Sequence, residues 1–220
     1  MKGKLIIGLM IFCLVGVLFV KPSFAWLSGW SYRQPINISN TAGDLTNFQV
    51  RIDLNSSNVG SSFDWSSNGS DIRFTNSTDD LLNFWIENWN STGQEATIWV
   101  NVTSLPNNTN TTIYIYYGNS EATSKSNGTE TFIFFDDFES GDFSKWDIHE
   151  ARWSITSSTV KEGNSSAYGQ GTTSSDRRLA KNISINYDVV IESWSRPATT
   201  STDGIYYFTP ISINYSSCPK

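Results

Sequence analysis

Two stretches of strict alternation dominate the chain. Ala96, Ile98, Val100 and Val102 alternate with Thr97, Trp99, Asn101 and Thr103, and Ile113, Ile115 and Tyr117 alternate with Thr112, Tyr114 and Tyr116. A period of two built from β-branched and aromatic residues predicts half-buried strands. The link between them holds Pro106 and the polar run Asn107 to Asn110, which is turn chemistry. The simplest expectation is an antiparallel hairpin with one aliphatic face. A second sheet is the usual cover for such a face.

The same pattern continues upstream. Trp30 to Asn40 reads as a strand, with Pro35 near its start as an edge strand allows. Thr41 to Asp44 reads as a turn. Phe48, Val50, Ile52 and Leu54 alternate with polar residues and give a second strand. A Ser/Asn/Gly-rich loop anchored by Phe63 and Trp65 follows, then a short strand from Asp71 to Thr75 and a turn from Asn76 to Asp80. Leu82 to Trp89 reads as a strand with Leu82, Phe84 and Ile86 on one face and Trp85, Glu87 and Trp89 on the other. Short strands at close spacing with no helical period predict an all-β, antiparallel β-sandwich of jelly-roll-like type.

The N-terminus has a different texture. Lys2 and Lys4 precede an uncharged apolar run from Leu5 to Val20, and Lys21-Pro22 ends it before Ser23-Phe24-Ala25. This is the pattern of a secretory signal peptide over residues 1–25, cleaved after Ala25. An uncleaved anchor is the alternative, but the run is shorter than the ~20 residues a spanning helix needs. The expected mature protein is therefore secreted or on the cell surface, with no membrane span.

Charge and cysteine content narrow the partners. The 220 residues carry a net charge of −6, and loss of Lys2, Lys4 and Lys21 takes it to −9. An acidic chain without a basic cluster argues against nucleic acid and anionic membranes. Cys218 would be the one cysteine left, so no internal disulfide is expected. Acceptor triplets of the Asn-x-Ser/Thr kind begin at Asn37, Asn55, Asn68, Asn76, Asn90, Asn101, Asn107, Asn110, Asn127, Asn164, Asn182 and Asn214. They fit either a glycoprotein or a Ser/Thr/Asn-rich exterior.

Several segments carry a family resemblance. GWSYRQPINISN, GSDIRFTNS, FWIENWN, ATIWVNVTSLP, TTIYIYYGN and FFDDFE, in that order, resemble the secreted prokaryotic domain of unknown function 2341 from about Gly29 to Glu139. The resemblance implies an extracellular module of large surface proteins and brings no established activity or catalytic residue. From Phe132, FFDDFESGDFSKWD, RWSI and NYDVVIESWSR resemble the opening of a concanavalin-like (laminin-G or glucanase-type) jelly roll. The expected organisation is a β-sandwich domain over 26–131 and an incomplete, truncated jelly-roll segment over 132–220.

Catalytic chemistry finds little footing. His149 is the single histidine, which nearly excludes Cys/His zinc sites and leaves a Ser-His-Asp triad without a nucleophile elbow. No Gly-rich phosphate loop follows a strand. Glycoside hydrolysis needs two facing carboxylates, and no Glu-x-Asp-x-Glu strand exists. Glu87, between Trp85 and Trp89, reads as a sugar-hydroxyl acceptor or as a solvent-facing carboxylate. Asp136, Asp137 and Glu139 form an acidic cluster that suits a structural Ca²⁺, and Asp71, Asp79 and Asp80 form another.

Aromatic residues are the better lead. Trp85, Trp89, Trp99, Tyr114 and Tyr116 all fall on the strand face opposite the aliphatic one. On neighbouring strands they would line one platform able to stack on sugar rings. Burial under a loop, domain or partner is the alternative. The expected function is a non-catalytic surface module, not an enzyme, that binds polysaccharide or cell-envelope glycan or mediates adhesion. The alternatives are a structural envelope spacer and a fragment of a polysaccharide-degrading enzyme.

Overall fold

A computed structural model describes residues 26–151, 153–169, 178–184, 191 and 193. The expected signal segment 1–25, Cys218, Asn214 and most of NYDVVIESWSR lie outside the described residues. The chain divides into two compact units, Met1–Asn127 and Gly128–Lys220. Among the described residues no helix is long and apolar enough to cross a membrane.

The first unit is an all-β, antiparallel sandwich. Its strands are β1 (Tyr32–Asn40), β2 (Leu45–Asn55), β3 (Arg73–Thr75), β4 (Leu81–Leu82), β5 (Phe84–Asn90), β6 (Glu95–Leu105) and β7 (Thr109–Tyr117). One sheet has the order β1-β7-β3-β4 and the other β2-β6-β5. Between them lies one core. Ile52, Leu54, Phe84, Ala96, Ile98, Val100 and Val102 contribute to it from the three-stranded sheet, and Phe74, Leu82, Ile113, Ile115 and Tyr117 meet them from the other. The alternation along the sequence is the inward and outward alternation of these strands.

The expected β6–β7 hairpin does not form. The two strands belong to different sheets, and their aliphatic faces meet across the core. β6 pairs with β2, from Leu45↔Leu105 to Asn55↔Glu95, and β7 pairs with β1, from Tyr32↔Tyr117 to Asn40↔Thr109. The two pairs together form a two-stranded ribbon folded over on itself. It bends at two adjacent corners, residues 41–44 and 106–108. A period of two defines which face of a strand is apolar, not which strand lies beside it, so both arrangements satisfy the pattern.

Asn40 joins the corners. Its side-chain N–H groups donate to the carbonyls of Leu105, at 2.7 Å, and Gly43, and its side-chain oxygen accepts from Ala42 N at 2.9 Å. Its backbone carbonyl accepts from Asn108 N at 2.8 Å. Asn107 N donates to Asp44 Oδ1 at 2.8 Å, closing the second corner onto the first. Backbone groups freed where the ribbon bends thereby find partners within the protein.

The β2 edge is also closed to other strands. Gln49 Nε2 donates to the Asn47 carbonyl at 3.0 Å and Asn58 Nδ2 to the Asp53 carbonyl at 2.9 Å. Side-chain amides thus occupy edge acceptors that would otherwise template another chain.

The second unit holds the short helix α1 (Gly128–Thr131) and four short strands, β8 (Ile148–His149), β9 (Trp153–Thr156), β10 (Ser166–Gly169) and β11 (Leu179–Ala180). β9 pairs with β10 and β8 with β11, both antiparallel. An aromatic cluster lies beside them. Trp146 packs edge-on to Phe134 at 5.0 Å and stacks on Phe138 at 6.2 Å, and Phe143 stacks on His149 at 5.7 Å.

Two measurements test this architecture. Asn40→Ala leaves the Leu105 carbonyl without its buried side-chain partner and removes the cap on the Ala42 N–H, and should cost about 2 kcal/mol in denaturant unfolding. Tyrosine ionisation is the second. Burial pushes the Tyr116 and Tyr117 hydroxyls up from their ordinary value. A raised folded-state value gives stability that is complete below the unfolded value, near 10, and is lost as pH rises through the folded one. Native protein should therefore show fewer phenolates by ultraviolet absorbance than the nine that the unfolded chain ionises, and should lose stability above about pH 10.

Candidate functional site

The five aromatic residues do not share one surface. Trp85 and Trp99 sit opposite each other on the adjacent strands β5 and β6, on the outer face of the three-stranded sheet. Both are half-buried. Arg51 of β2 is the next residue in the same row, across from Trp99.

Trp89 instead packs, half-buried, against the core. The β5–β6 register slips between Ile86 and Asn88, so Glu87 is an extra, bulged residue and Trp89 pairs with the inward-facing Ala96. A bulge moves every later side chain to the opposite face. Trp89 then packs against Trp65 at 5.4 Å and Phe63 at 5.8 Å, and its Nε1 donates to the Trp65 carbonyl at 2.9 Å. Gly69 makes room for it. A Cβ there would meet Trp89 at 2.8 Å and Ile86 at 2.6 Å, and its φ of 72° already favours glycine.

Tyr114 and Tyr116 belong to the other sheet, on its outer face. Tyr116 is fully buried there. Its hydroxyl donates to Asp79 Oδ1 at 2.8 Å, and Trp26 meets its ring edge-on at 6.3 Å. Arg33 completes the cluster. Its guanidinium lies 3.5 Å from the Tyr114 ring centroid and pairs with Asp79 at 3.0 Å. These groups hold one another in a packed layer. The Arg33–Asp79 pair was not legible in the sequence, because the two residues are remote in the chain and sit in unremarkable polar surroundings.

The Trp85–Trp99 face is ringed by polar groups. Glu87 Oε2 accepts from Trp99 Nε1 at 2.8 Å, so the bulge places a carboxylate beside the indole and holds its orientation. Arg51 Nε donates to Asp53 Oδ1 at 3.0 Å, and Thr97 Oγ1 donates to the same oxygen at 3.0 Å. Asn101, opposite Gln49, keeps its side-chain oxygen buried and without a hydrogen-bond partner. Flat apolar rings, a held carboxylate and amide groups suit contact with a polar ring that has one apolar face.

The expected calcium site does not assemble. Asp136 Oδ2 accepts from Trp146 Nε1 at 2.6 Å, and its Oδ1 lies 3.4 Å from Lys145 Nζ. Glu139 Oε1 accepts from Asn164 N at 2.7 Å and Ser165 N at 2.8 Å, while its Oε2 accepts from Asn164 Nδ2 at 3.2 Å. These hydrogen bonds hold the Glu139 carboxyl below its ordinary range. Asp137 Oδ1 accepts from Glu139 N at 3.3 Å. Sequence proximity put the three acids together, but each folds toward a different partner. Asp71, Asp79 and Asp80 separate likewise. Asp71 accepts from Ser67 and Gly118, Asp79 from Arg33 and Tyr116, and Asp80 from Asn76 and Thr78. Among the described residues no group of three acidic, His or Cys side chains is arranged to hold a metal ion.

An antiparallel β-sandwich with one aromatic and polar outer face is the class of protein that these elements define. The family model described as Domain of unknown function (DUF2341) matches residues 68–149, which run from the first unit into the second. The chain is also 31% identical over 136 residues to an uncharacterized protein of Methanocaldococcus jannaschii. That match covers 54% of this chain and 24% of the relative, so the chain spans about a quarter of that protein's length. No solved structure matches.

The two tryptophan environments are separable by mutation. Trp89→Ala removes a half-buried ring packed on Phe63 and Trp65 and should cost about 2–3 kcal/mol in chemical unfolding. Trp85→Ala lies on the outer face and should cost only about 1 kcal/mol. Equal losses would contradict the bulge-driven burial of Trp89.

Proposed function

We propose that the protein is a secreted, non-catalytic cell-surface module that binds carbohydrate through the outer face of its three-stranded sheet. The observation that carries this reading is the pair Trp85 and Trp99, opposite each other on adjacent strands with Glu87 holding the Trp99 indole. Two rings in a row across strands match the spacing of successive sugar units, because neighbouring strands are about 4.8 Å apart. Glu87 supplies an acceptor for hydroxyl groups at the rim. The N-terminal pattern supports export. The match to a quarter of a longer relative supports a module within larger proteins. The jelly-roll resemblance of the second unit favours the same class of ligand.

The test is retention of the whole protein on insoluble polysaccharides, with dissociation constants from affinity gels. Trp85→Ala and Trp99→Ala should each weaken binding at least about ten-fold, equivalent to roughly 1.4 kcal/mol. Circular dichroism should show both variants folded. Unchanged retention in both variants, or no retention by the parent, would remove the sugar reading and favour a structural spacer.

A further inference from the structure

The acceptor triplets for asparagine-linked glycans are treated very differently by the fold. Asn37, Asn101 and Asn110 lie inside β1, β6 and β7, opposite Thr112, Gln49 and Ser39. Their triplets are held in extended ladders. At Asn68 the following Gly69 is packed onto Ile86 and Trp89. A transferase that acts on an asparagine needs its side chain and the next two residues presented on a turn.

At Asn55 and Asn76 the turn also brings the hydroxyl of the third residue onto the asparagine amide. In Asn55-Ser56-Ser57 the chain leaves β2, and Asn55 Oδ1 accepts from Ser57 N at 2.9 Å and from the Ser57 hydroxyl. In Asn76-Ser77-Thr78 the chain turns between β3 and β4, and Asn76 Oδ1 accepts from Thr78 N at 2.9 Å and Thr78 Oγ1 at 2.8 Å. In each, the hydroxyl of the third residue meets the asparagine amide, and the two residues after the asparagine are exposed. Around Asn76 there is a further feature. Its Nδ2 donates to Asp80 Oδ2 at 2.9 Å, so a carboxylate takes one amide hydrogen and leaves the other for replacement.

We propose that Asn55 and Asn76 are the sites at which this protein is glycosylated, by transfer from a lipid-phosphate-linked oligosaccharide. In that step the side-chain nitrogen forms a bond to the anomeric carbon. The bond from that carbon to the phosphate oxygen breaks, the lipid phosphate leaves with the electron pair, and one amide proton passes to base. No electron is gained or lost overall. The proposal rests on export of the chain, as in the reading above, and goes beyond it.

Glycopeptide mass spectrometry on protein from the encoding organism, separated into intracellular and external fractions, tests it. External protein should carry glycan on the peptides containing Asn55 and Asn76 and none on Asn37, Asn101 or Asn110. Thr78→Val should remove the glycan at Asn76 and leave that at Asn55, whereas Thr78→Ser should keep both. Thermal unfolding checks that each variant is folded. External protein that is bare at both sites, or that is modified chiefly within the strands, overturns the proposal alone. Protein found only inside the cell and unmodified overturns export as well. Glycan retained at Asn76 in Thr78→Val overturns the role of the hydroxyl.

Discussion

The fold depends on one buried asparagine at the place where a ribbon bends. β1 and β2 run against β7 and β6, and the pair must cross from one sheet to the other within a few residues at both corners. Bending frees backbone groups, and a buried unpaired carbonyl costs more than most single contacts contribute. Asn40 answers this with a side chain that donates to both corners and accepts from its own turn. Once the corners hold, the aliphatic faces of β6 and β7 have no choice but to meet. The core from Ile98 and Val100 to Ile113 and Ile115 follows from that.

The strands themselves were legible in the sequence because burial imposes a period of two. Their pairing was not. Ile98 and Ile113 announce an apolar face, and nothing in their spacing says whether the two faces lie side by side or opposite. The deciding contacts are long-range, such as Asn40 to Leu105, and carry no local signature. The outer layer on the other sheet shows the same limit. Tyr114 and Tyr116 were legible as outward-facing, but their cover of Arg33, Asp79 and Trp26 comes from elsewhere in the chain.

This redistribution changes what the aromatic content means. A face counted from alternation alone holds five rings, and the folded chain commits three of them to packing. Trp89 packs onto the core against Phe63 and Trp65, and Tyr114 and Tyr116 stabilise a second layer through Arg33 and Asp79. Aromatic side chains in strands are large apolar groups first, and only those left on an outer face can meet a ligand. The pair on the three-stranded sheet is what remains, and it is also the row bordered by a carboxylate, a guanidinium and amides.

Glu87 ties the two outcomes together. Without the bulge, Trp89 would continue the outward row after Trp85, and the Phe63–Trp65 pocket would lack its third ring. With it, Trp89 turns inward, and the inserted residue itself accepts from the Trp99 indole. A single extra position therefore completes the core on one side of the sheet and fixes the geometry of the candidate site on the other. Strand bulges commonly re-aim side chains in this manner. The orientation of Trp99 is coupled to the packing of Trp89 through one residue of β5, so the site draws its rigidity from the core rather than from its own exposed contacts.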